Sequence, residues 1–276
     1  MVGGAWALKQ NGSTNVLYLM MAMVGAVAAH VAANTLNDYF DFKSGLDLLT
    51  KPTPFSGGSG VLPGEKLEPK TVLALGLGSL AVAVVIGILL MAIRGWAMLV
   101  IVIPAGLLIV SYTQYITRSP WLCLLVPGVA FGPLMATGAF FALNGTFNTT
   151  VLAASVVPGF LVSGLLLLNQ FPDIEADRAS GRRVLPVVIG KRASARLFAG
   201  LMVSMYLWII AGVAAGLLPF GALLALLSSP LAFVTAQGAL RHAEEREALI
   251  PFLGRNVILT LVTPVLLTVG FFLTGP

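Results

Sequence analysis

Apolar runs of about 20 residues recur along the whole chain, and the polar residues collect between them. A run of that length matches the hydrocarbon thickness of a bilayer. Lipid offers no partner to an exposed amide, so each run must satisfy its own backbone as a helix. The runs are continuous and do not alternate, which excludes a closed barrel of strands. Eight spans are expected, over roughly 16–37, 71–93, 95–113, 121–143, 151–171, 195–218, 219–240 and 256–274. The pattern predicts an all-α fold, a polytopic transmembrane helical bundle in which residues 1–276 form a single domain. Two connections, about 38–70 and 172–194, are long and polar, and they are where chemistry is expected.

Composition agrees: 58% of the residues are hydrophobic, 10% are charged, and the mean hydropathy is +0.95. The opening residues MVGGAWALKQNG have neither a charged start nor a long apolar core, so no cleavable signal peptide is expected. The one cysteine, Cys123, lies within an apolar run and reads as a small packing residue. Charge settles the expected topology. Of the 16 Lys and Arg residues, 14 fall in or beside the first, third, fifth and seventh connections, Lys9 and Arg94 being the exceptions, and all 11 acidic residues lie there too. The positive-inside rule places those four connections in the cytoplasm. The net charge of +5 is then topological, and no nucleic-acid partner is implied. Among the opposite connections, Asn148-Thr149-Thr150 matches a glycosylation acceptor but reads better as part of a short polar hairpin.

Against so apolar a background the acids stand out. In "NTLNDYFDFKSGLD" a helix would put Asn34, Asp38 and Asp41 at i, i+4 and i+7 on one face, with Asn37 at its edge and Asp47 beyond. In "NQFPDIEADRASGRR", Asn169, Asp173 and Asp177 stand at i, i+4 and i+8, and Pro172 is expected to kink the helix just before Asp173. Acids at a membrane-helix end can simply be solvated or can neutralise nearby Lys and Arg. Two such clusters on one side, able to face each other across a cavity, are harder to leave uncompensated: like charges at a low-dielectric mouth repel and require a cation. Carboxylate and amide oxygens, with no cysteine or grouped histidine, suit Mg²⁺, which completes its coordination with water and substrate phosphate. A phosphorylated or diphosphate substrate is therefore expected. Lys51, Arg182 and Arg183 are the candidate phosphate ligands, and the amides of Asn37 and Asn169 are further candidate substrate contacts. The intervening Gly57-Gly58-Ser59-Gly60 reads either as an anion-binding nest or as a cytoplasmic turn.

These segments resemble the two aspartate-rich signatures of the UbiA superfamily of intramembrane prenyltransferases, and most closely the 1,4-dihydroxy-2-naphthoate polyprenyltransferase branch. Asn37, Asp38, Asp41 and Asp47 match the first signature, and Asp173, Glu175 and Asp177 match the second. The resemblance implies a helical bundle around a central cavity with a side opening for a lipid tail. It also implies two Mg²⁺ ions held by Asp38, Asp41, Asp47, Asp173, Glu175 and Asp177, and transfer of a polyprenyl group from its diphosphate to an aromatic acceptor by way of an allylic cation. Asp38, Asp41, Asp173, Asp177 and Tyr112 are the expected catalytic residues. Tyr39, Phe40, Phe131 and Phe171 join Tyr112 as aromatics able to face the cation or merely to pack. His30, on the Asp38 face, reads as an internally hydrogen-bonded residue or as an acceptor contact, and His242 as a solvated one. Relatives usually have nine spans, so the opening VGGAWALKQNG reads as the tail of a missing first helix. The competing expectations are a terpene cyclase of the same fold, prenyl transfer to 4-hydroxybenzoate, haem or a glycerol phosphate, and a transporter whose acids form the transport site.

Overall fold

A computed structural model describes residues 1–273; position 274, the end of the eighth expected span, lies outside them. In chain order the helices are α1 (Val2–Asn11), α2 (Val16–Lys43), α3 (Leu46–Leu49), α4 (Pro69–Arg94), α5 (Leu99–Ser111), α6 (Pro120–Val129), α7 (Met135–Asn144), α8 (Thr149–Asn169), α9 (Ile174–Ala179), α10 (Leu185–Ile189), α11 (Lys191–Ala214), α12 (Ser229–Arg241) and α13 (Arg246–Leu273). No strand occurs among the described residues. Among the described residues seven helices are long and apolar enough to cross a membrane, with α6 and α7 counted together through a π-helical turn over Ala130–Leu134 and α12 together with the 3₁₀ helix Phe220–Ser228 before it. The expected span 95–113 is shorter, covering Trp96–Ser111. Gly95, at a φ of +89° and ψ of 174°, ends α4 and turns the chain directly into a 3₁₀ start.

The outer surface is apolar. Leu107, Val203, Leu207 and Leu261 are all more than half exposed, as lipid-facing side chains of a membrane bundle must be. Without a hydrophobic drive between helices, close packing depends on small residues. Gly128 and Gly132 let α6 and its π turn meet α8 backbone to backbone: a Cβ on Gly132 would come within 2.5 Å of the Ser155 carbonyl oxygen. The π turn also sets Phe131 on the inner side of the bundle, edge-on to His30 at 5.4 Å. Asn148 is the N-cap of α8, its side chain accepting from the Val151 amide at 3.0 Å.

The opening segment is a helix of its own. In α1, Val2 and Ala7 are buried, Gly3 lies against the Ala136 carbonyl, and Trp6 meets the ring of Phe271 edge-on at 5.0 Å. It packs on α7 and α13.

The two ends of the bundle differ in charge. At one end the four connections after α2, α5, α8 and α12 are joined by polar contacts: Arg182 with Asp41, Ser56 with Asp173, the Arg183 amide with the Thr117 carbonyl, and Arg246 with the Lys51 carbonyl. At the other end the guanidinium of Arg94 donates to the carbonyls of Ala142 and Leu143 and covers the ring of Tyr18.

Candidate active site

The charged end closes over a cavity of about 820 Å³. Its polar wall comes from the two acidic segments, which the backbone presents differently. α2 runs unbroken to Lys43, so Asp38 and Asp41 sit in its last two turns. Asp41 is buried and pairs with Arg182, and Asn37 donates to the Thr113 hydroxyl at 2.9 Å. The second segment is not a kinked helix as expected. α8 stops at Asn169, residues 170–172 form a turn, and Asp173 begins the short α9 as its N-cap. Pro172 has no amide hydrogen to donate, which suits it to a break in the helix. Asp177, one turn into α9, is buried, and its Oδ1 lies 3.6 Å from Nη1 of Arg182. One guanidinium therefore touches both acidic segments.

The loop at 53–58 bridges them a second time. The Thr53 hydroxyl accepts from the amides of Phe55 and Ser56 at 3.2 and 2.9 Å, which fixes a tight turn. Ser56 then donates its hydroxyl to Asp173 at 3.4 Å, and the Gly57 amide donates to the same carboxylate. Gly58, at φ +72°, faces the first segment: a Cβ there would stand 3.4 Å from Asp47 Oδ1 and 3.9 Å from Asp38 Oδ1. Gly57 and Gly58 both stand in the wall of the cavity, and the Gly57 amide donates to the Asp173 carboxylate.

Electrostatically the site has too little positive charge. Burial, reinforced by Asp41 and Asp38, pushes the Asp47 carboxyl up to about 7. Burial also pushes Asp173 and Asp177 up to about 6; Ser56 and Arg246 oppose the rise at Asp173, and Arg182 opposes it at Asp177. Asn169 adds a buried Oδ1 with no hydrogen-bond partner.

These features bear on whether Mg²⁺ fits. Among the described residues no three carboxylate, imidazole or thiol groups converge on one point, because Arg182 takes the space between Asp41 and Asp177. The donors are nevertheless all hard oxygens, one of them orphaned, and the carboxylates outnumber the cations beside them. That donor set suits an oxygen-loving divalent ion rather than a thiophilic one.

Asp41, Asp47, Asp173, Asp177, Asn37, Asn169, Arg182 and Tyr112 line the cavity, as do His30 and Phe131. Asp38 is half-buried behind Gly58. Three expected ligands point elsewhere. Glu175 is exposed, because in a helix it stands two residues from both Asp173 and Asp177 and so faces away from them. The Lys51 side chain is exposed, and only its carbonyl is engaged, by Arg246 at 2.5 Å. Arg183 is exposed as well, contributing only its amide to Thr117. Of the aromatics, Phe171 is buried in the core, and Tyr39 and Phe40 pack on each other at 5.3 Å outside the cavity wall. His30 is not buried inside the bundle as expected: it is exposed, with the equally exposed Asn34 amide 3.3 Å from its ring, and it lines the cavity.

Sequence reasoning missed Arg246, whose charge acts on Asp173, and Gln170, whose amide donates to Cys123 at 3.4 Å in the cavity wall. In "RHAEEREAL" nothing local separates Arg246 from its neighbours; the one usable signal was its place on the same side of the membrane as the acids.

Comparison with known proteins follows the same lines. Residues 1–263 match the profile of the UbiA prenyltransferase family. A 1,4-dihydroxy-2-naphthoate octaprenyltransferase of Bacillus subtilis is 30% identical over 207 residues, 72% of this chain and 64% of that protein. A digeranylgeranylglyceryl phosphate synthase of Natronomonas pharaonis is 30% identical over 71% of this chain and 66% of its own length. The chain thus matches just under two thirds of each. A 1,4-dihydroxy-2-naphthoate octaprenyltransferase of Escherichia coli is 26% identical over 99% of this chain and 89% of that protein. A solved structure from work on digeranylgeranylglyceryl phosphate synthase in membranes shares the fold, with a TM-score of 0.61 at 16% identity, over 99% of this chain and 92% of that one.

Proposed function

Because the chain belongs to the UbiA prenyltransferase family, integral membrane proteins that transfer prenyl groups, we propose that it moves a polyprenyl group from its diphosphate to an aromatic acceptor. The acceptor proposed is 1,4-dihydroxy-2-naphthoate, the substrate named for the Bacillus and Escherichia relatives. One observation carries the reading: Asp41, Asp47, Asp173 and Asp177 line the polar end of a large apolar cavity, with Asp38 behind Gly58, and the guanidinium of Arg182 in the same wall pairs with Asp41 and Asp177. A diphosphate brought in with divalent cations supplies what that end lacks. The apolar remainder, with Ile86, Leu90, Met98 and Val102 in its walls, suits an isoprenoid tail.

In this reading Arg182 binds diphosphate oxygens and holds the two acidic segments in register. Asn169 can donate its amide NH₂ group to the same headgroup, and its unpartnered amide oxygen would be a hard ligand for Mg²⁺. Phe131 and Tyr112, both in the cavity wall, are the aromatic groups available to a carbon that becomes cationic as the allylic C–O bond breaks and its electron pair leaves with the diphosphate. The apolar walls keep water from that carbon until the electron-rich ring captures it. Mg²⁺ fits Asp38, Asp41 and Asp47 on one side and Asp173 and Asp177 on the other, and when bound it offsets the charge of the departing diphosphate. The basic connections support a site open to the cytoplasm.

The likeness to digeranylgeranylglyceryl phosphate synthase gives a second acceptor class, a glycerol phosphate. Acids gathered at one end of the bundle, rather than midway along it, argue against a transporter. The test incubates purified protein with Mg²⁺, farnesyl and longer diphosphates, and either naphthoate, hydroxybenzoate or glycerol phosphate acceptors, and identifies products by mass. A prenylated naphthoate product is expected. A cyclic hydrocarbon formed without acceptor, or release of no diphosphate under any condition, overturns the proposal.

A further inference from the structure

A second cavity of about 410 Å³ backs onto the first at the charged end, and Asp41, Thr117 and Arg182 line both. Their common wall is therefore the ion pair that links the acidic segments. The wall is pinned from behind, since the Arg183 amide donates to the Thr117 carbonyl at 3.2 Å.

The two cavities differ in sign. Asp41, Asp47, Asp173 and Asp177 line the larger one, and among the described residues Arg182 is the only Lys or Arg in its wall. The smaller one is lined by Lys43, Arg118 and Arg182, with Asp41 its only acid and already paired to Arg182. Ser44, Thr113, Gln114 and Ser180 fill much of the rest, the hydroxyls of Ser44 and Ser180 already donating to the carbonyls of Asp41 and Asp177. Lys43 and Arg118 are exposed, and neither forms an ion pair with a carboxylate among the described residues. A concave surface with two exposed cations that pair with no carboxylate among the described residues, Lys43 lying 5.9 Å over the Tyr39 ring, and a third cation shared through the wall suits a compact, multiply charged oxyanion.

We propose that this smaller cavity is an oxyanion site for inorganic diphosphate, on the solvent side of the Arg182–Asp41 pair. As a route for the leaving group it rests on the transfer reaction proposed above; as a binding site it does not. Arg182 reaches both cavities, so a diphosphate freed in the larger one passes to Lys43 and Arg118 without losing its guanidinium contact. Repulsion from the acids left behind favours the move.

The two cavities are separable by their dependence on metal. With EDTA present, the acid-lined cavity repels diphosphate, whereas the cation-lined one does not need a metal to bind it. Equilibrium dialysis of radiolabelled diphosphate against the full-length protein in detergent and EDTA should show about one site per chain. Lys43→Gln with Arg118→Gln should weaken that site about tenfold or more while leaving the thermal midpoint in place, since both side chains are exposed. In turnover, the same double variant should lose inhibition by added diphosphate to a similar degree with its single-turnover rate unchanged. Unchanged diphosphate binding in EDTA overturns the site. So does a double variant that loses binding of a naphthoate carboxylate but not of diphosphate. Failure of prenyl transfer with every acceptor overturns the proposed function instead and leaves the dialysis result to decide the site.

Discussion

Asp38 and Asp41 sit on a helix that runs unbroken from Val16 to Lys43, whereas α8 stops at Asn169 and Asp173 is delivered by a turn. The first segment inherits its geometry from backbone hydrogen bonds that any helix supplies. The second is broken by a turn, and its Asp173 depends on partners far away in sequence, Ser56 and Gly57, while Asp177 is held by Arg182 five residues on. The backbone of one helix thus places the first pair of carboxylates, whereas Asp173 needs a distant loop, so the two segments should respond differently to the same kind of damage.

The severest damage removes the charge that both segments share. Asp41→Asn and Asp177→Asn each strip an anion from Arg182 while keeping shape, and each should lower kcat by about a hundredfold or more, the scale seen when a charge-stabilising donor is lost from an active site. Their combination should cost much less than the product of the two, because both act through one guanidinium. Fully additive losses, measured as kcat in the prenyl-transfer assay, would mean that Arg182 does not couple the segments.

A smaller effect tests the glycine loop. Gly58 and Gly60 have nearly the same left-handed backbone, φ +72° and +66°, but a Cβ on Gly58 meets the carboxylates of Asp47 and Asp38 whereas one on Gly60 meets nothing within 4 Å. Alanine at either position carries a backbone penalty of about 1–2 kcal/mol. Gly58→Ala should in addition lower turnover about tenfold and raise the Mg²⁺ concentration needed for half-maximal activity. Gly60→Ala should shift the thermal midpoint alone. Equal Mg²⁺ requirements in the two variants would remove the loop from the site.

Protonation separates the segments next. Asp47, Asp173 and Asp177 titrate in the folded chain at about 7, 6 and 6, above the ordinary carboxylate value of 3.8. Between those values the folded chain retains protons that the unfolded chain has released. The stability this gives is complete below pH 3.8 and is lost as pH rises through 6 to 7. In EDTA the thermal midpoint should therefore fall on going from about pH 5 to about pH 8. Mg²⁺ should raise it at the higher pH and do little at the lower, where protons already occupy the carboxylates. A midpoint that climbs with pH in EDTA would contradict the crowding of acids described above.

The same division explains what the sequence revealed. Runs of apolar residues report helices because lipid allows nothing else, so the bundle and its charged end were legible, including Asp38 and Asp41 on the last turns of α2. The short reach of Trp96–Ser111 depends on how Gly95 turns the chain, a detail that hydropathy does not record. Nor could spacing foresee that α8 would end before Pro172. The i, i+4, i+8 pattern of Asn169, Asp173 and Asp177 assumed a continuous helix, yet Asp173 and Asp177 come together through α9 and its N-cap instead. Arg182 and Arg183 are chemically equivalent in sequence. Only the turn after α9, closed by the Arg182 amide on the Asp177 carbonyl, decides which of them faces inward.

That last distinction yields the smallest predicted effects, and they are informative because they are small. Glu175, Lys51 and Arg183 all belong to charged clusters beside the site, and all three side chains are exposed away from it. If charge near the diphosphate were enough, neutralising any of them would impair turnover. If the cavity wall decides, Glu175→Gln, Lys51→Gln and Arg183→Gln should each leave kcat/KM within about twofold of the parent, the scatter expected of surface substitutions. Arg182→Gln, one residue away from Arg183, should fall with the severe class. Only the carbonyl of Lys51 is held, by Arg246, so Lys51→Gln keeps that contact whereas Arg246→Gln breaks it and removes a cation acting on Asp173. A loss of kcat/KM in Arg246→Gln but not in Lys51→Gln would locate the basic contribution of the first loop in its backbone rather than in its side chain.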